Sequence, residues 1–504
     1  LMNKYFLNIK VDREERPDID YIFQSSYQLF NQSGGGWPLT MFLDENAIPF
    51  MAGTFFPKES SYGLPSFKEV LSKVGDTYTE QREEIIKQSH VISKSLELKK
   101  SLVLNQDLES VLQNIKLSLD ETKGGYKGSP KFPVFNIYDV LLFFFNKTKK
   151  LEYLKPVELI LKQLCSQGIY DQVEGGISRY TVDENWLIPH FEKMLYDNAQ
   201  FVLLLSKFLR VERNEYFEKK IIQTIDFINK NFINLENKLL GSAYDADSDG
   251  EEGKYYVFSY EELKKIKDIS QYFDVKPEGN WENKIILREI ETPPKSVIFE
   301  LKKLRERRVK PFFDKKIQLD LNCLWVSALI CAEQVLPNNN FLEIAETYYE
   351  KLENIFFNKE KLQHTILKSE VFLEDYAYSI AMLLDLYDQT LKPNYLFKAK
   401  ELCKKVNKLF YIKEKSIFQK NIIATNDLFH KPIDISDGNI PNGNSIMLLN
   451  FSRLKMKKEA KELSDSLNGY LNVYKSSMAS SIKSIDYFNT YDSNKNCTEK
   501  GCLI

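Results

Sequence analysis

The stretch GGISRYTVDENWLIPHFEKMLYDNAQ, residues 175 to 200, packs Arg179, Asp183, Trp186, His190, Glu192, Tyr196 and Asp197 together just before a plainly apolar helix, AQFVLLLSKFLRV. The chain holds only four histidines, so one at a loop-to-helix junction stands out. A His with a carboxylate one to two turns away can act as a general base or as a binding pair. The spacing of His190, Met194, Asp197 and Phe201 puts all four on one face if the segment is helical, and Pro189 suits a first helical turn. The plainer reading is a capping His and a satisfied Asp.

Similar polar clusters stand before other apolar helices. FLEDYAYS (372–379) supplies adjacent Glu374 and Asp375, DGNIPNGNS (437–445) opens the last such helix, and GGYKGSPKFP (124–133) precedes the first. Two carboxylates facing each other across a cleft suit glycoside hydrolysis. Carboxylates at helix N-termini are also ordinary caps. In AYDADSDGEEGKYY (243–256), Asp245, Asp247, Asp249 and Gly250 follow the first half of a calcium loop, but Tyr256 stands where the bidentate Glu belongs. That loop is read as bringing Asp245 or Asp247 to a cleft. The expected catalytic set is His190, Asp197, Asp247, Glu374 and Asp375. The expected substrate-binding set is Arg179, Asp183, Trp186, Tyr196 and Asp245, with no metal and no cofactor. Aromatic residues crowd the same loops: Tyr126, Phe132, Tyr180, Trp186, Tyr196, Tyr255, Tyr256 and Trp281. Sugar rings stack well on such faces, although helix packing explains any one of them.

These loops need elements to hold them. From about residue 100 the helices come in pairs. One member is greasy on most sides, as in 140–145, 201–209, 323–336, 378–387 and 445–451. Its partner has a Lys- and Glu-rich face, as in 153–164, 216–228, 341–356, 395–410 and 458–471. All-round apolar helices are buried and one-faced helices border water. Five pairs, with the helix at 107–119 belonging to a sixth, predict a toroid of helical hairpins whose inner ring is covered by an outer one. The pattern lapses between 241 and 317, which reads as an insertion on one face. The first 95 residues read as α/β. YFLNIKVD (5–12) is β-prone, 19–30 has helical spacing, and two runs flank Glu45–Asn46 as a hairpin. A cis bond is expected between Trp37 and Pro38.

Lys plus Arg number 69 against 71 Asp plus Glu, which gives no reason to expect nucleic acid or an anionic membrane as partner. The apolar run at 137–146 is about half of what a bilayer requires. Six cysteines in 504 residues point to a reducing, cytoplasmic compartment.

The motifs IKVDREERPDID, GGGWPLTMFLDENAIPFMAGTFFP, GGYKGSPKFP, the 175–200 stretch, AYDADSDGEEGKYYVFS and FLEDYAYS together resemble the thioredoxin-domain-containing proteins related to animal spermatogenesis-associated protein. The resemblance covers essentially the whole chain. It implies a mostly α protein: a six-hairpin (α/α) barrel over 96–504, preceded by a thioredoxin-like α/β domain over 1–95. The family's Cys-rich redox motif lies upstream of KVDREERPDID, so that domain is expected to be incomplete, and no redox activity is assigned to these residues. The barrel class is shared with glycosidases and sugar epimerases. It implies acid–base chemistry on, or binding of, a sugar-like small molecule. The alternatives are a redox or protein-quality module whose barrel recognises a partner, and a non-catalytic scaffold. Three residues depart from the family pattern: Ser178 where a His is usual, and Lys315 and Leu321 where an Asp and a Trp are usual. The tail NCTEKGC fits the family's ending and implies a structural or redox pair of Cys497 and Cys502.

Overall fold

The computed structural model describes residues 1–61, 63–99, 107–357, 360–367, 370–425, 427–491, 497–498 and 501–502. The chain divides into two compact units. One comprises Leu1–Lys100, Val371–Leu373 and Val406–Asp434, and the other the remainder. The first unit thus includes a segment, 406–434, that is distant in sequence from its main part.

In the first unit, Pro17 at the first turn and Asp18 and Asp20 beside it start helix α1 (Pro17–Asn31). Strands β1 (Thr40–Leu43) and β2 (Pro49–Gly53) form an antiparallel hairpin. Its turn is held by Asp44, which accepts from the N–H groups of Asn46 and Ile48 at 2.9 Å each. A capping box of Ser66 and Glu69 opens α2 (Phe67–Glu80), and α3 (Arg82–Ser95) follows. Phe42, Val70, Leu71 and Val74 form the core between hairpin and helix. The Trp37–Pro38 bond is cis. The β-prone run at 5–12 is not a strand: Leu7 is 89% and Ile9 71% exposed. A strand needs a neighbour's N–H and C=O groups, and no described strand pairs with this run.

The second unit is an (α/α) toroid of six hairpins among the described residues. In chain order the helices are α4 (Leu108–Ser118) and α5 (Phe135–Thr148), α6 (Leu151–Ser166) and α7 (Leu195–Leu209), α8 (Glu215–Asn231) and, after an insertion carrying α9 (Lys295–Arg305), α10 (Leu319–Glu333). Next come α11 (Phe341–Leu352) and α12 (Leu373–Thr390), α13 (Pro393–Phe410) and α14 (Gly443–Arg453), and α15 (Lys457–Tyr474) and α16 (Ala479–Tyr491). Outer and inner helices alternate in this order, and inner helices pack on the outer helix that follows them: α5 on α6, α7 on α8, α10 on α11 and α14 on α15, while the last, α16, packs on α4. The inner ring closes: α7 packs on α5 and α10, and α16 on α14 and α5. Between them Cys323 of α10 meets Ser379 of α12, and Asn450 of α14 donates to the Ala377 carbonyl of α12. The sixth inner helix, ASSIKSIDYFNTY, lacks the greasy signature of the others. Its Ser481, Ile482, Ile485 and Tyr487 are nevertheless buried. No helix among the described residues is long and apolar enough to cross a membrane.

All six inner helices run the same way. Successive cross-helix contacts advance in the same direction on both partners: Phe135 then Asp139 of α5 meet Phe201 then Lys207 of α7, Asp139 then Lys147 of α5 meet Lys483 then Asp486 of α16, Cys323 then the C-capping Gln334 of α10 meet Ser379 then Gln389 of α12, and Ala377 then Asp385 of α12 meet Asn450 then Arg453 of α14. Their N-termini therefore share one rim.

The insertion is anchored at that rim. The short strands β5 (Lys193–Met194), β6 (Ala243–Tyr244) and β9 (Phe313–Asp314) form a three-stranded antiparallel sheet at the entrance to α7. Phe258, Leu263, Phe273, Ile285 and Leu301 give the insertion its own core, joined to Val173 of the barrel. A buried ion cluster bolts the two together. Asp171 accepts from Lys193 at 2.8 Å and from Arg305 of α9 at 2.7 and 2.8 Å, while Glu174 takes Arg305 at 3.4 Å and the Tyr255 hydroxyl at 2.9 Å. Two buried cations converge on Asp171, so removing it leaves Lys193 with only the Gly175 carbonyl and Arg305 with the longer Glu174 contact and the Tyr256 carbonyl. Asp171→Ala is expected to destabilise the barrel by about 3–5 kcal/mol, read as a lower urea midpoint of the helical circular dichroism signal. An unchanged midpoint would show the cluster to be dispensable.

Candidate functional site

The segment before α7 builds one side of the rim. β3 (Tyr180–Thr181) pairs with β4 (Pro189–His190), placing Tyr180 opposite His190. Asp183 folds the intervening loop by accepting from the N–H groups of Asn185 and Ile188, each at 2.6 Å. The His190 ring stacks on Tyr180 at 5.0 Å, and Tyr180 on Phe132 at 4.7 Å. Phe132 is exposed and Tyr180 half-buried, so this column presents an aromatic face to water. His190 Nδ1 lies 2.7 Å from Glu252 Oε1. Glu252 belongs to the hairpin of β7 (Asp247–Ser248) and β8 (Glu251–Glu252), directly across from Asp247. Exposed Asp247 therefore stands beside the carboxylate that holds His190, whereas Asp245 is spent on the loop itself, accepting from Ala246 N at 2.7 Å.

His190 and Asp197 do not share a helical face. Pairing of β5 with β6 keeps Lys193–Met194 extended, so α7 begins only at Leu195. Asp197 sits in the first turn of α7, buried, its Oδ2 without a hydrogen-bond partner among the described residues. Burial raises its pKa well above the carboxylate range, with Arg179 opposing and Glu192 reinforcing the shift. Arg179 donates to Glu192 at 3.2 Å and, electrostatically, faces Tyr196, Glu192 and Asp197. Trp186 is fully buried: its indole N–H donates to the Lys123 carbonyl at 2.7 Å and its ring fills the space a side chain at Gly125 would need. It offers no face to a ligand. Phe132 and Tyr180 hold the exposed aromatic surface instead.

Helices α10 and α12 build the other side. His364, in the loop before α12, has Nδ1 2.8 Å from Asp375 Oδ1 and Nε2 3.5 Å from Gln318 Nε2. Backbone bonds from Leu319 N to the His364 carbonyl and from His364 N to the Glu370 carbonyl, at 2.9 and 2.8 Å, fix this loop against the start of α10. Asp320, in the first turn of α10, completes a buried trio with His364 and Asp375. One ligand atom from each lies within 4.8 Å of the others, so the three could converge on a divalent cation. At 2.8 Å the His364–Asp375 contact is a hydrogen bond, whose proton ligation would displace. Burial raises the Asp320 carboxyl to about 7, with His364 opposing and the neighbouring Asp375 and Glu374 adding to it. Glu374 is buried in the same first turn of α12.

The segment 437–442 lies across this rim. Asp437 accepts from Asn136 of α5 at 3.0 Å and from Ser480 N of α16 at 2.7 Å. The Asn439 carbonyl takes Gln200 of α7, and the Pro441 carbonyl takes the Tyr378 hydroxyl of α12, each at 2.8 Å. Four inner helices thus meet one strap.

The rim therefore gathers Arg179, His190, Tyr196, Asp197 and Asp247 on its α7 side and Glu374 and Asp375 on its α12 side. It leaves Trp186 in the core and Asp183 and Asp245 as loop braces. Sequence reasoning missed His364, Asp320 and Glu252. His364 left one trace, as one of four histidines placed shortly before FLEDYAYS. Cys497 and Cys502 face each other across a short antiparallel backbone pairing.

Comparison with known proteins agrees with the resemblance read from the motifs. Residues 1–97 match the family described as Thioredox_DsbH, protein of unknown function, DUF255. Uncharacterized protein B0495.5 of Caenorhabditis elegans is 28% identical over 545 residues, covering 93% of this chain and 73% of that protein. Human Spermatogenesis-associated protein 20 is 26% identical over 531 residues, covering 90% and 67%. Among solved structures, cellobiose 2-epimerase from Bacillus thermoamylovorans aligns at 12% identity over 73% of this chain and 86% of its own, with TM-score 0.47. Unsaturated glucuronyl hydrolase from Bacillus sp. GL1 aligns at 10% identity over 79% and 96%, with TM-score 0.44.

The Asp320 shift has a sign that stability can report. A carboxyl raised on folding binds its proton in the folded state where the unfolded chain has lost it. Its stabilising contribution is present below the ordinary aspartate value of 3.8 and fades as pH climbs through about 7. Asp320→Asn should therefore flatten the fall of the melting temperature between pH 4 and 7. Parallel curves for the two proteins would contradict the assignment.

Proposed function

We propose that the barrel is an enzyme of the glycosidase or epimerase kind, acting by acid–base chemistry on a sugar-like small molecule at the rim of the inner ring. The observation that carries this reading is the hydrogen-bonded Asp375–His364 pair beside Asp320 and Glu374 on adjacent inner helices. Glycosyl transfer to water needs one group to protonate the leaving oxygen and another to activate the attacking water. Epimerisation needs one group to remove a proton and another to return it. In either reaction Asp375 would accept the Nδ1–H of His364, fix its tautomer and leave Nε2 as the basic atom. Asp320 would supply the acid, with Glu374 beside it.

Binding falls to the other side of the rim in this reading. The Phe132–Tyr180 column offers a face for a sugar ring. Arg179, His190, Tyr196, Asp197 and Asp247 would take hydroxyls. The strap 437–442 covers part of the rim, and its displacement would admit substrate to the buried trio.

A panel of hexoses, disaccharides and uronates tests the proposal by thermal shift. A ligand at ten times its Kd should raise the melting temperature by about 1–2 °C. Asp375→Asn and His364→Gln should keep the fold and lose turnover by at least about a hundredfold. If no sugar shifts the protein, or if both variants turn over the responsive sugar as fast as the parent, the reading fails.

A further inference from the structure

Below the rim, three adjacent inner helices bring together a constellation that the rim chemistry does not use. Asp139 of α5 accepts from Lys207 of α7 at 2.6 Å through Oδ1 and from Lys483 of α16 at 2.7 Å through Oδ2. A cavity of about 20 Å³ opens beside them, lined also by Leu142, Phe143, Asn146 and Arg210. It has room for one water-sized group. Asp486, one turn further along α16, is held by Lys147 at 2.7 and 2.8 Å. The cavity wall therefore carries three cations, Lys207, Lys483 and Arg210, against the single carboxylate of Asp139.

One carboxylate cannot compensate two ammonium groups equally. Lys483 is the more buried of the two, with its side chain 8% exposed against 21% for Lys207. The imbalance falls on Lys483. Burial, opposed by Asp139 and reinforced by the Lys207 charge, brings its pKa down to about 8. Lys207 moves the other way: the attraction of Asp139 outweighs its burial and holds it protonated. The pair is thus split into a latent free amine and a proton donor on opposite oxygens of one carboxylate. A neutral lysine amine is a nucleophile toward carbonyl carbon, and an ammonium is not.

We propose that Lys483 forms a Schiff base with a small anionic carbonyl compound of the 2-keto acid type, at the cavity bounded by α5, α7 and α16. The Lys483 Nζ lone pair attacks the carbonyl carbon, the C–N bond forms and the C=O π bond breaks to give a carbinolamine. Lys207 returns a proton to the departing hydroxyl, water leaves, and the iminium remains on Lys483. The excess of positive charge favours a carboxylate-bearing ligand. The cavity accepts its carbonyl end, and the remainder projects past exposed Arg210 into water. The proposal does not rest on the sugar chemistry proposed for the rim.

Pyruvate with sodium cyanoborohydride tests this on the full-length protein at pH 7, because reduction fixes the iminium as a carboxyethyl group that peptide mass spectrometry locates. At that pH the shift gives Lys483 roughly a few hundredfold more neutral amine than an ordinary lysine. Lys483 should be modified at least ten times faster than Lys404, whose side chain is 73% exposed. In Lys207→Met the remaining Lys483–Asp139 pair is balanced one to one, so modification of Lys483 should slow severalfold while that of Lys404 stays the same. Lys483 labelling no faster than Lys404, or an unchanged rate in Lys207→Met, would reduce the cluster to a polar filling of the bore and overturn the proposal.

Discussion

Six helix N-termini pointing at one rim is the constraint on which the rest of the barrel depends. Each brings unpaired N–H groups and the positive end of a helix dipole to the same place. Acidic side chains in first turns answer that field, and Asp197, Asp320, Glu374 and Asp375 all occupy such positions. Alone, the field would hold their pKa values low. Burial wins instead at Asp197 and Asp320, both of which are raised. The difference between a capping carboxylate and a chemically useful acid is here a matter of solvent. The insertion and the strap 437–442 exclude water from a rim that would otherwise be open.

That exclusion needs a rigid support. The insertion has a small core of its own, and Asp171 joins it to the barrel through Lys193 and Arg305. Because Lys193 lies in β5, the same bolt sets where the extended chain gives way to α7, and so sets the heights of His190 and Asp197 above the ring.

Much of the barrel was legible because its inner helices announce themselves. VLLFFF, FVLLLSKFL and CLWVSALICAEQVL have no wet face and can only be interior. The helix at 479–491 was not legible for the opposite reason: it buries Ser, Lys and Asp, and the partners of Lys483 and Asp486 come from α5, invisible to local pattern. The rim was legible only as a set of polar loops. Residues 190 to 197 fit a helical face in spacing, but a long-range pairing with Ala243–Tyr244 holds their first part extended. Trp186 looked like a stacking platform, yet its backbone adopts φ of 62° and turns the ring into the core. His364 carries no motif. Its significance comes from Asp375 and Asp320, eleven and forty-four residues away, and only the closed ring brings them together.

The rim and the bore are mechanically one object. Asn136 and Ser480, which anchor the strap through Asp437, lie three residues before Asp139 and Lys483 on the same two helices. Three residues is less than one turn, about 4.5 Å along a helix that does not bend over that distance. A movement that separates α5 from α16 at the strap must separate Asp139 from Lys483 as well. Once unpaired, Lys483 would lose the Asp139 carboxylate that favours its protonated form while keeping its burial. The charge state of the bore is thus tied to the closure of the rim by geometry, with no contact between the two sets of side chains required.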